Sequence, residues 1–137
     1  MKIKPVILCG GSGTRLWTNE KRRPAKQFID FGGWTLFQKT LERIKNPIFD
    51  YPIISTNLSY LKLVLKYLSK YKINKYKIIL EPYKKNTAPA ILSSALLEDI
   101  PFEQPMIFFP SDHLIEKNAK FNKSISLNKK YLNEDNI

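Results

Sequence analysis

The chain has five glycines, all within its first 33 residues, and three of them crowd one stretch, Gly10-Gly11-Ser12-Gly13, straight after the apolar run Val6–Cys9. Glycine reaches backbone conformations closed to other residues and lets a ligand approach the main chain. A strand that ends in such a loop offers successive backbone N–H groups as an anion-binding concavity, helped by the positive end of a following helix. Arg15 comes next, with forked donors suited to phosphate. The stretch Gly10, Gly11, Ser12, Gly13 and Thr14 therefore reads as a phosphate cradle, against the plainer alternative of a glycine-rich surface turn. It is not a Walker A loop, because no Gly-Lys-Ser/Thr follows. It is not the dinucleotide fingerprint either. Leu16 stands where the third glycine belongs, and no acidic residue ends the second strand, which argues against hydride transfer.

At 137 residues, 43% of them apolar and 12% aromatic, the chain has the size and composition for one hydrophobic core rather than for disorder. No apolar run approaches the roughly 18 residues that cross a bilayer. Val6–Cys9 is too short for a signal-peptide core, so the cytoplasm is the expected compartment. Cys9 is the only cysteine, which rules out an intrachain disulfide or a thiolate metal cluster. The formal charge is +11, but only Arg15, Arg22, Arg23 and Arg43 among the 23 basic residues are arginine. Such a lysine-rich balance reads as a solvated surface that attracts polyanionic small molecules more than as a nucleic-acid binder.

Four short apolar runs, Val6–Cys9, Pro52–Ser55, Ile78–Leu80 and Met106–Phe109, predict strands covered on both faces. Helical patterns separate them. Thr35 and Gln38 form a possible capping box for a helix to about Ile44. Asn57 is placed to cap a second helix carrying Leu61, Val64, Leu65 and Leu68. Asn86 or Thr87 is placed to cap a third, and Phe121, Ile125 and Leu132 suggest a fourth. The alternation predicts a Rossmann-like α/β fold, a parallel sheet with helices on both faces, in a single unit over 1–137. In open α/β sheets ligands lie beyond the carboxyl ends of the strands. That rule gathers the glycine loop, Thr56-Asn57, Glu81-Pro82 with Asn86-Thr87, and Ser111-Asp112-His113 on one rim.

These residues carry a family resemblance. Val6 through Trp17 (VILCGGSGTRLW), Lys26-Gln27-Phe28 and Leu36-Phe37-Gln38 resemble the start of the mannose-1-phosphate guanylyltransferases, including the bifunctional type with an isomerase domain. Leu80-Glu81-Pro82, Asn86-Thr87-Ala88-Pro89-Ala90 and Pro110-Ser111-Asp112-His113 are similar to later motifs of that family, in the same order. The resemblance implies attack of mannose 1-phosphate on the α-phosphate of GTP, giving GDP-mannose and pyrophosphate with Mg²⁺. It assigns Gly11, Ser12 and Gly13 to the triphosphate, Arg15 to the departing pyrophosphate, and Lys26 to the α-phosphate or the sugar phosphate. Glu81 then accepts from guanine, with a surface acid as the alternative. Asn86 and Thr87 either touch base or ribose or cap their helix. Asp112 is a hard oxygen ligand for Mg²⁺, or an N-cap. His113, the only histidine, orients the Asp112 loop or packs.

Two departures bear on this. The family reads Pro-Lys-Gln-Phe where this chain has Ala25-Lys26-Gln27-Phe28, with its proline one position earlier at Pro24. The family's catalytic domain also continues past the Ser-Asp-His motif, where it supplies the sugar pocket and a second metal-binding aspartate. The chain is thus expected to resemble the nucleotide-binding half, incomplete at its C-terminus. It is either catalytic with a chain that supplies the other half, or a non-catalytic GTP-binding or regulatory remnant. A basic nucleic-acid-binding domain and an unselected gene fragment are the remaining alternatives. Low stability alone, or pairing through an exposed sheet edge, is expected. A melting midpoint that rises with protein concentration checks this, and a cooperative, concentration-independent melt counts against it.

Overall fold

The computed structural model describes residues 1–11, 25–82 and 87–132. Strands β1 (Lys4–Cys9), β2 (Ile53–Asn57), β3 (Lys77–Glu81) and β4 (Met106–Pro110) alternate with helices α1 (Leu36–Arg43), α2 (Leu58–Lys70), α3 (Thr87–Ala95) and α4 (Asn118–Asn128). Single 3₁₀ turns lie at Lys26–Phe28 and Lys129–Tyr131. All pairings in the sheet are parallel, and its order is β3-β2-β1-β4. Steps from β1 to β2 and from β2 to β3 run in one direction; the step from β3 to β4 returns across the whole sheet. With right-handed crossovers, that reversal puts α1 and α2 on one face and α3 on the other. The predicted α/β fold with helices on both faces is the observed one.

Local chemistry explains the helix starts. Thr35 accepts from the Gln38 N–H at 3.1 Å while the Gln38 side chain accepts from the Thr35 N–H at 2.5 Å, the reciprocal box expected from the sequence. The Asn57 side chain accepts from the Ser59 N–H and caps α2. Gly32 and Gly33 have φ of 81° and 93°, a left-handed turn that glycine enters freely.

The main core lies between the sheet and α1, α2 and α4, with Ile7, Cys9, Phe37, Leu41, Ile54, Val64 and Phe109 buried. In α2 the core-facing stripe is Val64 and Leu68 with Tyr60, Tyr67 and Tyr71 packed against it, whereas Leu65 stays exposed. Tyrosines replace two of the leucines the spacing had favoured, because a ring reaches the core while its hydroxyl stays at the edge. Leu132 lies beyond α4 and is exposed, so it takes no part in that helix's packing. Arg43 anchors α4 instead. It is buried, its guanidinium lies beside the Phe109 and Phe121 rings, and Nε donates to Asn118 Oδ1 at 3.0 Å.

The opposite face is thinner. Val6, Ile53 and Ile100 are buried there, but Leu8, Ile79, Met106 and Phe108 are only partly covered. Leu92, Leu96 and Phe102 are exposed. The prediction of strands covered on both faces therefore fails for β3 and β4. Both lie at sheet edges, and among the described residues α3 is the helix that packs on that face.

At the amino end of the sheet, Lys4 is 1% exposed and donates to Asp50 Oδ2 at 2.6 Å, with its ammonium over the Tyr51 ring. Partial burial pushes the Asp50 carboxyl up, but hydrogen bonds from Lys4, the Tyr51 N–H and Gln104, with the Lys4 charge, hold it down at about 2. A depressed folded-state pKa contributes stability that is complete above the unfolded value and disappears as pH falls through the folded one. Acid denaturation followed by circular dichroism is expected to lose this contribution between about pH 4 and 2. In Lys4→Met the loss in that window is smaller, and Asp50 titrates higher.

Candidate functional site

The reversal of direction between β1 and β4 opens a crevice at their carboxyl ends, the place where α/β sheets hold ligands. The parallel register levels the strand ends: Cys9 pairs with Thr56, Asn57 with Glu81, and Leu8 with Pro110. Gly10, Gly11, Glu81, Pro82 and Asp112 therefore share one rim, as the sequence predicted.

Side chains from neighbouring elements hold the end of β1. Thr56 Oγ1 donates to the Cys9 carbonyl at 3.2 Å, Asn57 Nδ2 to the Gly10 carbonyl at 3.2 Å, and Gln27 Nε2 to the Gly11 carbonyl at 3.1 Å. The described peptides are trans, so each N–H points opposite to the carbonyl before it. With the Gly10 carbonyl drawn toward the Asn57 side chain, the Gly11 N–H faces away from it.

Gly10 has a second reason to be glycine. A Cβ there would lie 2.8 and 2.9 Å from the two carboxylate oxygens of Glu81. Side chains of a strand alternate between faces, and Gly10 shares the parity of Val6, as Glu81 shares that of Ile79 and Ser55 that of Ile53. Glu81 leans over the end of β2 on the α3 face, where Ser55 Oγ donates to its Oε1 at 2.5 Å. The acid fills the space that glycine leaves. Beside it an open groove is lined by Asn57, Leu58, Ser59, Leu80, Glu81 and Pro82. Leu58 and Leu80 are 73% and 46% exposed, so the groove offers apolar walls and one carboxylate.

The other side of the rim carries opposite charges. Lys26 Nζ is 3.5 Å from Asp112 Oδ2, with both side chains more than a third exposed. His113 Nε2 is 3.8 Å from Asp112 Oδ1 and its side chain is 64% exposed, so it flanks the carboxylate rather than packing. Asp112 does not cap a helix, since α4 begins at Asn118. Thr87 is the first residue of α3 and is exposed. Ser12, Gly13, Thr14, Arg15 and Asn86 lie outside the described residues.

Cys9 sits beneath the rim and is fully buried. Burial pushes its thiol up to about 12, beyond what hydrogen bonds with Ser111, Gln27 and Thr56 recover, and the Glu81 charge adds to the rise. It is a neutral thiol, neither nucleophile nor metal ligand. Among the described residues no three His, Cys, Asp or Glu side chains gather to hold a metal. Asp112 nevertheless fits a Mg²⁺ that takes one carboxylate and completes its shell with phosphates and water.

Ser55, Thr56, Asn57 and Gln27 are the site residues that sequence reasoning left without roles there. Thr56-Asn57 stood at a strand end and Gln27 beside Lys26, but a hydrogen bond to a distant backbone carbonyl leaves no spacing signal.

The fold is that of the nucleotide-diphospho-sugar transferases. In the solved structure described as mannose-6-phosphate isomerase from Helicobacter pylori, 46% of that chain aligns with 96% of this one at 29% identity and a TM-score of 0.73. A UDP-glucose pyrophosphorylase structure aligns with a TM-score of 0.70 over 96% of this chain and 54% of its own, at 20% identity, a likeness of fold alone. The family model described as Nucleotidyl transferase matches residues 4–135, and the chain belongs to that family. The alginate biosynthesis protein AlgA of Pseudomonas fluorescens is 37% identical over 125 residues, 90% of this chain and 26% of that protein. The mannose-1-phosphate guanylyltransferase of Escherichia coli is 33% identical over 137 residues, 98% of this chain and 29% of that protein. The chain spans about a quarter of the length of these curated relatives.

Gly10→Ala is expected to keep the fold while displacing Glu81 from Ser55, at a cost of about 1–2 kcal/mol in urea unfolding. In Ser55→Ala, where that hydrogen bond is already gone, the same substitution is expected to cost less.

Proposed function

We propose that the chain binds GTP and contributes to the synthesis of GDP-mannose from mannose 1-phosphate. The observation that carries this reading is the shared rim: an open groove with a carboxylate at β3, a glycine-lined backbone at β1, and a lysine–aspartate pair at β4. From the end of β3 to that of β4 is three strand spacings, about 14 Å, a length suited to a nucleotide laid from base to phosphates. Names of relatives such as mannose-1-phosphate guanylyltransferase support the sugar and the base.

In this reading guanine lies between Leu58 and Leu80 and donates its N1–H and amine to Glu81, which keeps acceptor capacity beyond the Ser55 bond. An adenine lacks that donor pair. The Gly11 N–H meets the phosphates, together with the backbone of Ser12, Gly13 and Thr14. Pro82, Asn86 and Thr87 border the base or ribose. The phosphate oxygen of mannose 1-phosphate attacks the α-phosphorus, and the bond to the β-phosphate oxygen breaks as pyrophosphate leaves with the electron pair. Arg15 neutralises the leaving group and Lys26 the α-phosphoryl oxygens; no general base is needed, because the nucleophile is already anionic. Asp112 would hold Mg²⁺ against the phosphates, where the ion supplies charge neutralisation.

We place this activity in the cytoplasm, in a unit that takes up residues 1–137. The half-open sheet face favours a second reading, a GTP-binding unit that pairs with another chain supplying the sugar side. Formation of GDP-mannose by the chain alone separates the two. Calorimetry with GTP, ATP and dTTP, with and without Mg²⁺, tests the site. GTP preference that depends on Mg²⁺ in the wild type and is lost in Asp112→Ala is the expected result. Unchanged binding in the variant removes Asp112 from the site.

A further inference from the structure

We infer that Gln27 is a positioning residue that locks the glycine strand end and the Lys26 turn into one geometry through its buried side-chain amide. The consequence for nucleotide binding rests on the function proposed above; the geometry does not.

Gln27 is 3% exposed. Its Nε2 donates to the Gly11 carbonyl at 3.1 Å and reaches Cys9 Sγ at 3.9 Å, so one amide group spans both ends of the Cys9–Gly11 segment. Its neighbours in the 3₁₀ turn face elsewhere. Lys26 faces Asp112 across the crevice. Phe28 packs on Phe37, Tyr60 and Tyr67, with ring centroids 5.3, 5.6 and 6.0 Å away. Phe28 thus pins the turn to the core but makes no link to the glycines. Among the described side chains of the turn, Gln27 alone supplies that link.

The chemistry calls for an amide. The Gly11 carbonyl accepts only, and the buried thiol of Cys9 stays neutral, so the group between them must donate without carrying charge. Glutamine offers two N–H donors on one nitrogen. A glutamate would press a negative charge against the Gly11 carbonyl oxygen until it took up a proton; once protonated, its O–H donates as the amide does. Methionine fills a similar volume and donates nothing.

The test compares wild type, Gln27→Met and Gln27→Glu. In the free protein, the Met variant is expected to melt within a few degrees of wild type while the NMR signals of Gly11 and Asp112 both move. Its affinity for Mg²⁺-GTP is expected to fall about tenfold, the loss of one well-placed hydrogen bond. The Glu variant is expected to match it at about pH 8 and to recover affinity, relative to wild type at the same pH, at about pH 5, where a buried carboxyl regains its proton. The charged groups beside the turn, Lys26, Asp112 and His113, are common to both proteins, so their contributions cancel in that ratio. Unmoved Gly11 and Asp112 signals, an affinity loss that only tracks a fall in melting temperature, or no acid recovery in the Glu variant overturns the inference. If the wild type binds no triphosphate, the functional reading fails, and the Gly11 and Asp112 signals still decide the role of Gln27.

Discussion

The return of the chain from β3 across the sheet to β4 is the constraint on which the rest of the molecule depends. A fixed crossover hand converts that one long step into a change of face for α3 and into a crevice between β1 and β4. The parallel register then levels the strand ends, so residues as far apart in sequence as Gly10, Glu81 and Asp112 share one rim without any local interaction drawing them there. Hydrophobic burial builds the frame; the rim inherits its geometry from it.

Within that frame the glycines perform separate tasks. Gly10 clears space for Glu81. Among the described residues, no atom lies within 4 Å of a notional Cβ on Gly11. Gly32 and Gly33 are there for their left-handed turn. The carbonyls of Cys9, Gly10 and Gly11 each accept a side-chain hydrogen bond. Three modest hydrogen bonds, each worth about 1 kcal/mol net, thereby hold an otherwise permissive segment still.

What the sequence disclosed follows from the range of the interactions involved. The four strands, the Thr35–Gln38 box and the Asn57 cap are local, set by apolar runs or by partners two or three residues apart, and all were legible. Glu81 and Asp112 were legible because strand ends share a rim by topology. The bond from Ser55 to Glu81 and those from Gln27 and Asn57 to the glycine carbonyls were not, because each joins residues 16 or more apart through a single atom pair. Burial was misjudged where it depends on what covers a strand: β3 and β4 carry runs as apolar as β1, yet they lie at the edges and remain half-open.

The Lys26–Asp112 pair has one more consequence. Two exposed groups 3.5 Å apart are worth about 0.5 kcal/mol in water, so separating them costs little. Each nevertheless neutralises the other across the rim. On the function proposed above, a polyanion with a divalent counter-ion would let the two residues exchange partners, ammonium to phosphate and carboxylate to cation, so that neither charge is left unpaired. The pair would then serve as a charge swap held in reserve.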